Sequence, residues 1–276
     1  MNILFIGDIV ARPGRDLVRE GLEALVGRYG IDFVIANAEN AAGGFGITRE
    51  IGDDLLARGI GVLTSGNHIW DKKEAVDYIG AEPRLLRPAN YPSGVPGRGS
   101  HIGRTADGRP VGVLNIMGRV FMPHVDDPFA VALRDLEALR ARTRIIVVDF
   151  HAEATSEKMA MGWHLDGRVT AVLGTHTHVQ TADDQVLPGG TAYITDVGMT
   201  GPHDGVIGVD RDCALARFLT AMPARFDSAT GNPKLHGVVL QVDDASGRAQ
   251  SISRVSLTSD ELRRLAREGT SAEPVR

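Results

Sequence analysis

The sequence predicts an α/β protein built on a largely parallel sheet. Short apolar runs alternate with amphipathic segments along the first 80 residues, which is typical of strands alternating with helices. Polar residues follow directly after several of the apolar runs. The chain has 276 residues, of which 43% are hydrophobic and 24% charged, so it contains enough apolar material for a sizeable core. We expect one domain over residues 1–268 and a frayed tail over residues 269–276.

The first third of the chain is predicted to alternate strands and helices. Leu17, Val18 and Leu22 lie on one face of a helix in which Pro13 occupies the first turn, where its missing N–H costs least. Thr48 is a typical N-cap for the next helix. The predicted order is strand 2–6, helix 13–28, strand 33–36, a helix from residue 48 to about 57, strand 61–64 and helix 71–79.

The rest of the chain is predicted to be richer in strands. An Asp-Gly turn signal at residues 107–108 joins runs 100–104 and 111–117 in a hairpin. A Ser-Gly turn at residues 246–247 indicates a second hairpin between runs 235–242 and 249–257. The other predicted elements are helix 128–141, strands 144–150, 169–173 and 192–195, helix 213–221 and helix 260–267.

Charge and cysteine content limit the function classes. Lys and Arg total 30 against 35 Asp and Glu, and the resulting charge of −5 argues against a duplex nucleic acid partner. Cys213 is the single cysteine, which excludes an intrachain disulfide and a site built from cysteines alone. No run approaches the roughly 18 apolar residues of a membrane span, and no secretory signal precedes the first strand. We therefore expect a cytoplasmic protein without a membrane partner.

Polar residues are concentrated at the carboxyl ends of five predicted strands. The segments are Gly7-Asp8, Asn37-Ala38-Glu39-Asn40, Ser65-Gly66-Asn67-His68, His151, and Gly174-Thr175-His176-Thr177-His178. In open α/β sheets ligands bind outside these strand ends. The five segments are therefore expected to converge on one site.

Each of these residues has an ordinary structural explanation when it is taken alone. Asp8 suits a helix cap or an Asx turn, and a lone His151 is more often structural than a ligand. In His176-x-His178 the two imidazoles point the same way on an extended segment, but such a pair is weak evidence by itself. The ordered set at five strand ends is what indicates a metal site.

The donor types indicate which metals and which chemistry the site suits. Carboxylate, carboxamide and imidazole groups without thiolates suit Mn²⁺, Fe or Zn²⁺. Two metals about 3.5–4 Å apart need a bridging carboxylate, and coordination lowers the pKa of water to about 7. The resulting hydroxide attacks phosphorus in line with the leaving oxygen, while the two cations stabilise the developing charge. This chemistry is that of a phosphoric ester hydrolase.

The motifs resemble those of the calcineurin-like metallophosphoesterases. Gly66-Asn67-His68, then Asp71, then His151, then residues 174–178 follow the order of motifs in that superfamily. Val10 stands where most members have a ligating histidine, and Glu39 replaces the usual bridging aspartate. These departures, together with segments 5–15, 37–40, 117–121, 150–158 and 196–202, look like the YmdB-type subfamily. The resemblance extends over nearly the whole chain, to about residue 257.

The resemblance implies a single-domain, four-layer α/β/β/α sandwich with two metals at one edge of the paired sheets. The implied ligands of one metal are Asp8, Glu39, Asn40 and His178. Those of the other are Glu39, Asn67, His151 and His176, so that Glu39 bridges the two. The resemblance also implies that His68 donates a proton to the leaving oxygen. Iron or manganese is the expected metal, with zinc as the alternative. Because Val10 replaces a histidine, the implied ligands of the first metal are mostly oxygen atoms, which harder metals prefer.

Further polar residues near the strand ends are candidates for supporting roles. Arg12, Arg15 and Arg119 could contact a substrate phosphate, although a surface ion pair is the slightly favoured explanation for Arg15. Glu153 and Asp196 could orient ligating histidines. Lys158 is interpreted as a solvated helix residue, and His203 as a residue bordering the pocket.

We therefore expect a dinuclear phosphodiesterase that hydrolyses small phosphodiesters. The YmdB-type subfamily is associated with 2′,3′-cyclic and 3′,5′-cyclic nucleotides, and the resemblance implies one or both as substrates. Two alternatives stay open: a phosphomonoesterase acting on nucleotides or phosphoproteins, and a metal-containing regulatory protein with incidental hydrolytic activity. Whether the chain forms a homo-oligomer is also left open.

Overall fold

The computed structural model describes residues 1–223 and 225–271. The strands of this part are β1 Asn2–Ile6, β2 Asp8–Ile9, β3 Phe33–Asn37, β4 Val62–Thr64, β5 Ser100–Arg104, β6 Pro110–Met117, β7 Ile146–His151, β8 Ala171–Thr175, β9 Gln185–Val186, β10 Ala192–Ile194, β11 Met199–Pro202, β12 Pro233–Val242 and β13 Ala249–Thr258. Its helices are α1 Ala11–Tyr29, α2 Arg49–Ala57, α3 Ala75–Ala81, α4 Pro128–Arg140, α5 Thr155–Leu165, α6 Arg211–Thr220 and α7 Ser259–Ser271. The prediction of a mixed α/β protein is confirmed.

The described strands form two sheets, where the sequence pattern predicts one largely parallel sheet. The first has the order β2-β11-β12-β1-β3-β4, with β13 paired to β12, and the second has the order β5-β6-β7-β8-β10-β9. Parallel strands β1, β3 and β4 lie together in the first sheet, as do β6, β7, β8 and β10 in the second. Both sheets are mixed because hairpins β5–β6 and β12–β13 add antiparallel pairs at the predicted places.

Alternation along the strands divides the buried side chains among separate clusters. On β1, Ile3 and Phe5 belong to a cluster that contains residues of both sheets, such as Val147. Leu4 and Ile6 belong to a second cluster, shared with α1, α2, α3 and α7. A third cluster joins strands of the second sheet to α4 and α5. Successive residues of a strand point to opposite faces, so each sheet buries both of its faces.

The register of the parallel strands brings their carboxyl ends level with one another. Ile6 pairs with Ala36, and Ala36 pairs with Leu63 in the first sheet. In the second sheet His151 pairs with both Met117 and Thr175. The polar segments that follow these strands therefore emerge at one edge.

Several elements differ from the predicted ones, among them α3, β7, β8 and α5. The helix predicted at 71–79 is α3, which begins only at Ala75, because a 3-10 turn occupies Asn67–Trp70. Strands β7 and β8 continue to His151 and Thr175, which pair with each other in the ladder. Hydrophobic periodicity does not reveal α5, because its buried face includes Glu157 and Lys158.

The predicted tail at 269–276 falls mostly on residues 272–276, which lie outside the described residues, so the domain bounds stay a prediction. Among the helices of the described part, none combines the length and the apolar character that crossing a membrane requires.

Candidate active site

A cavity of about 290 Å³ opens at the edge where the parallel strands of both sheets end. One wall is polar and consists mainly of residues from the predicted motifs. These residues are Glu39, Asn40, His68, Glu153, His176, Thr177 and His178. The strand ends predicted to converge therefore supply the polar side of one cavity.

Glu39, in the segment after β3, lies at the centre of this polar wall and is 1% exposed. Its Oε1 is 3.1 Å from His151 Nε2, and its Oε2 accepts the backbone N–H of His68 at 3.1 Å. Burial raises the pKa of Glu39, but the charge and hydrogen bond of His151 outweigh burial and hold the pKa at about 2. Glu39 is thus an ionised carboxylate in a buried site, which makes it a strong ligand for a cation.

His151 is oriented from behind by a buried chain of polar groups. Its Nδ1 lies 2.9 Å from Thr175 Oγ1, which donates to Asp149 Oδ1 at 2.7 Å. Asn37 Nδ2 donates to the other oxygen of Asp149 at 3.0 Å. This arrangement leaves Nε2 facing the site, 3.1 Å from Asn67 Oδ1. The sequence gives a signal for it, since Asp149 is a charge that interrupts the apolar run 145–150.

His176 completes a cluster with Glu39 and His151. Ligand atoms of the three residues lie within 4.8 Å of one another. His176 Nδ1 is 3.1 Å from His151 Nε2, and its Nε2 is 3.1 Å from Glu153 Oε2. Burial and the neighbouring His151 lower the pKa of His176 to about 3, which leaves a neutral imidazole with a lone pair for a metal.

Asp8, Asn40 and His178 form a second group beside Glu39. Asn40 Nδ2 lies 3.2 Å from His178 Nε2 and 3.2 Å from Glu39 Oε1, and Asp8 Oδ1 is 4.0 Å from His178 Nε2. Asp8 and Asn40 are buried, yet the Oδ1 atom of each finds no hydrogen-bond donor among the described residues. Buried oxygens without donors are costly unless a cation neutralises them. This observation fits a metal between the two groups.

The backbone at Gly66 requires a residue without a side chain. A Cβ added there would lie 2.1 Å from the His151 ring and 2.5 Å from Glu39 Oε2. Any other residue would push these two groups apart. The glycine that precedes Asn67 and His68 therefore lets the turn approach the site closely.

Comparison with known proteins places the chain in a family. Residues 4–255 match the model of the YmdB-like protein family. The chain belongs to the YmdB-like family. The family predicted from the motifs is thereby confirmed.

Relatives in the YmdB-like family carry enzyme names. The chain is 51% identical to a 2′,3′-cyclic-nucleotide 2′-phosphodiesterase of Bacillus subtilis, over 95% of this chain and 99% of that protein. It is 33% identical to a putative phosphatase/phosphodiesterase of Mycoplasma genitalium, over 97% of each chain.

Two solved structures are similar to the chain over most of its length. A hypothetical protein of Thermus thermophilus is 44% identical and superposes with a TM-score of 0.86, covering 94% of this chain and 99% of that one. A novel phosphatase of Mycoplasma pneumoniae is 32% identical with a TM-score of 0.87, covering 94% of this chain and 93% of its own.

Val10, at the position where most of the wider superfamily has a histidine, is part of a small apolar cluster in this YmdB-like chain. It is 3% exposed and packs with Ala11 and Met199. A Cβ added at Gly201 or Gly208 would lie 2.9 Å from the Val10 side chain. Glycine backbone thus packs closely against the Val10 side chain, which also lines the cavity.

The arginine candidates do not line the cavity. The Arg12 side chain is 83% exposed and pairs with Asp16, and Arg119 lies 3.5 Å from Asp127. Arg15 donates a hydrogen bond to the backbone oxygen of Ala41.

Two further candidates for supporting roles are His203 and Lys158. His203 is also absent from the cavity lining, and its ring contacts His236 edge-on with centroids 4.7 Å apart. The interpretation of Lys158 as a solvated residue is wrong. Its side chain is 1% exposed and pairs with Asp196 at 2.7 Å. Helical spacing alone cannot distinguish a solvated lysine from one that faces a buried carboxylate.

The second wall of the cavity is apolar, and sequence analysis missed it. It comes from the glycine-rich segment after Asn40 and from the segment around α6. The residues are Phe45, Ile207, Val209 and Phe226, with Asp227 and Ser228 beside them. Ser228 Oγ donates to the Gly43 oxygen at 3.1 Å, and His178 Nδ1 lies 2.8 Å from the Ile207 oxygen. The first contact joins the two segments of the apolar wall, and the second joins this wall to the polar one.

Proposed function

We propose that this chain is a metal-dependent phosphodiesterase that hydrolyses small cyclic nucleotides, with 2′,3′-cyclic forms, 3′,5′-cyclic forms or both as substrates. The observation that carries the proposal is the buried Glu39 carboxylate between two groups of ligand-type side chains. Relatives named as a phosphodiesterase and as a phosphatase agree with the predicted phosphoric ester hydrolase.

The proposed metal centre holds two divalent ions. Asp8, Glu39, Asn40 and His178 would hold one, and Glu39, Asn67, His151 and His176 the other. Iron or manganese suits these nitrogen and oxygen donors, with zinc as the alternative. When bound, such ions supply positive charge for phosphoryl oxygens and lower the pKa of water so that it becomes a nucleophile. The donor-free oxygens of Asp8 and Asn40 support this assignment.

His68 is proposed to protonate the leaving oxygen. Its Nδ1 lies 2.8 Å from Asp71 Oδ2, so Nε2 is the ring nitrogen left for a substrate. The Phe45 ring contacts the imidazole edge-on, with centroids 4.9 Å apart. The backbone N–H of His68 donates to Glu39, which fixes the proton donor relative to the proposed metal centre.

The apolar wall supports a nucleoside ester over a phosphoprotein. A phosphate group gains nothing from an aromatic surface, whereas a nucleobase can stack on one, and Phe45 and Phe226 provide such a surface opposite the polar groups. A cavity of about 290 Å³ lies near the lower end of the range for small-ligand sites. We therefore favour a small cyclic diester, and we keep the nucleotide monoesterase as the second candidate because the same polar groups suit it.

The four-layer α/β/β/α sandwich implied by the resemblance is likewise proposed. Its support is the set of buried clusters, one shared by both sheets and two shared with helices. The cytoplasmic location and the single domain over 1–268 stay predictions.

The direct test measures hydrolysis by the purified chain after chelation and reconstitution with Mn²⁺ or Fe²⁺. We expect metal-dependent turnover of bis-p-nitrophenyl phosphate and 2′,3′-cyclic AMP, and slower turnover of the monoester p-nitrophenyl phosphate. Elemental analysis should find two metals per chain. Glu39→Gln, which keeps the shape but removes the charge, should lose both metal and activity.

Three outcomes would contradict parts of this proposal. Absence of metal-dependent turnover on every phosphodiester would refute the enzyme assignment. Faster hydrolysis of monoesters than of diesters would favour the second candidate. A variant dead in hydrolysis but intact in its cellular effect would favour a regulatory protein.

A further inference from the structure

A buried ion pair lies directly behind the loop that carries His176 and His178. Lys158 on α5 is 1% exposed, and Asp196, after β10, is fully buried. Lys158 Nζ is 2.7 Å from Asp196 Oδ2. Neither residue lines the cavity, so the pair cannot touch a substrate there. We propose that the Lys158–Asp196 pair positions His176 and His178 for metal binding, a role that rests on the proposed metal centre.

Asp196 holds the residue between the two histidines by two contacts. Its Oδ2 accepts the Thr177 backbone N–H at 3.0 Å and the Thr177 hydroxyl at 2.7 Å. Its Oδ1 accepts the backbone N–H of Gly198 at 2.8 Å. A single carboxylate therefore fixes both the backbone and the side chain of Thr177, and joins the histidine loop to the start of β11.

The backbone of the histidine loop needs such a restraint. His176 has φ = 100° and His178 has φ = 67°, both in the left-handed region that favours glycine. Residues held there persist only when the surrounding contacts impose the conformation. The Thr177 contacts lie between the two strained residues, so they are well placed to impose it.

Lys158 makes the buried carboxylate tolerable. A fully buried aspartate without a partner is strongly unfavourable, because desolvation is uncompensated. The lysine side chain reaches Asp196 beside Gly174, where an added Cβ would lie 3.0 Å from Lys158 Cδ. Replacing the lysine by an apolar residue leaves Asp196 with a buried charge, which we expect to weaken its hold on Thr177.

The test measures Mn²⁺ binding to metal-stripped protein by the EPR signal of free Mn²⁺. We expect Lys158→Met, Asp196→Asn and Thr177→Val to weaken Mn²⁺ binding about 10–100-fold at one site or both, as for other residues that orient metal ligands. Lys158→Arg should retain most of the affinity, since it restores the charge. Where Lys158→Met does not fold, Thr177→Val tests the same contact with a change of one hydroxyl.

Arg109→Ala is the matched control. Arg109 joins Asp32, Asp107 and Asp244 at the opposite end of the strands, with its Nη2 2.6 Å from Asp32 Oδ1. We expect this variant to lose thermal stability but bind Mn²⁺ like the wild type.

Two results would overturn the inference. In the first, the Lys158, Asp196 and Thr177 variants bind Mn²⁺ with wild-type affinity. In the second, their affinity falls only as far as that of an equally destabilised Arg109→Ala protein. Wild-type protein that binds no Mn²⁺, Fe²⁺ or Zn²⁺ would instead refute the proposed metal centre, so the two failures are distinguishable.

Discussion

His68 has two contacts that suit a proton donor at the edge of a metal site. Its ring is fixed by Asp71, 2.8 Å away, and its backbone N–H is bound by Glu39. The His68 ring thus hydrogen-bonds Asp71, which is not one of the seven proposed metal ligands, and only the backbone of His68 contacts one of them. Its side chain is 29% exposed, so a leaving group can reach it.

We expect His68→Ala to retain both metals and to lose about 10²–10⁴-fold in kcat on 2′,3′-cyclic AMP, the usual contribution of a general acid. The loss should be much smaller on bis-p-nitrophenyl phosphate, because p-nitrophenolate leaves without a proton. Steady-state kinetics and elemental analysis on one preparation measure both effects. A variant without metal would show that His68 is a ligand.

Among the elements of the fold, one segment that belongs to neither sheet shapes the cavity. Residues 206–228, which include α6, supply Ile207, Val209 and Phe226 to the apolar wall. The Phe226 ring is held by the Arg217 guanidinium, whose carbon lies 4.9 Å from the ring centroid. This segment contacts the glycine-rich segment through Ser228 and the polar wall through His178. We therefore expect substrate preference to reside in it.

Phe226→Ala should raise KM for 2′,3′-cyclic AMP about 5–100-fold with little change in kcat, since base–aromatic stacking contributes about 1–3 kcal/mol. Glycerol 1,2-cyclic phosphate, which has the cyclic ester but no base, should be hydrolysed as by the wild type. Phe218→Ala is the control, because Phe218 is 79% exposed on α6 and does not line the cavity. An equal loss on both substrates would argue against contact with the base.

For the molecule as a whole, a partly buried histidine away from the cavity links stability to pH. Burial, together with the neighbouring His203 and Lys234, lowers the pKa of His236 to about 4, although Asp196 opposes the shift. Because the unfolded chain binds this proton near pH 6.5 and the folded chain does not, stability falls as the pH drops from about 6.5 to about 4.

We expect His236→Phe to reduce the slope of the free energy of unfolding against pH. The reduction should correspond to less than about one bound proton. Urea unfolding at pH 7 and at pH 5, in EDTA so that metal loss does not contribute, measures the slope. His124→Gln, which replaces an exposed histidine, is the control. An unchanged slope in His236→Phe would show that His236 does not titrate differently in the two states.

Local rules were enough to predict the class of the fold, both hairpins and the residues of the polar wall from the amino-acid order. Apolar runs define strands, turn dipeptides define hairpins, and parallel strands present their carboxyl ends at one edge. Asp8, Glu39 and His151 could therefore be named before their distances were known.

The strand order of the two sheets, the apolar wall and the surroundings of Lys158 became visible only in three dimensions. Phe226 and Phe45 line one cavity although they are far apart in the chain, and no periodicity relates them. Lys158 and Asp196 pair across a separation of 38 residues. Contacts of this kind form where distant segments pack together, and a local pattern carries no information about which segments those are.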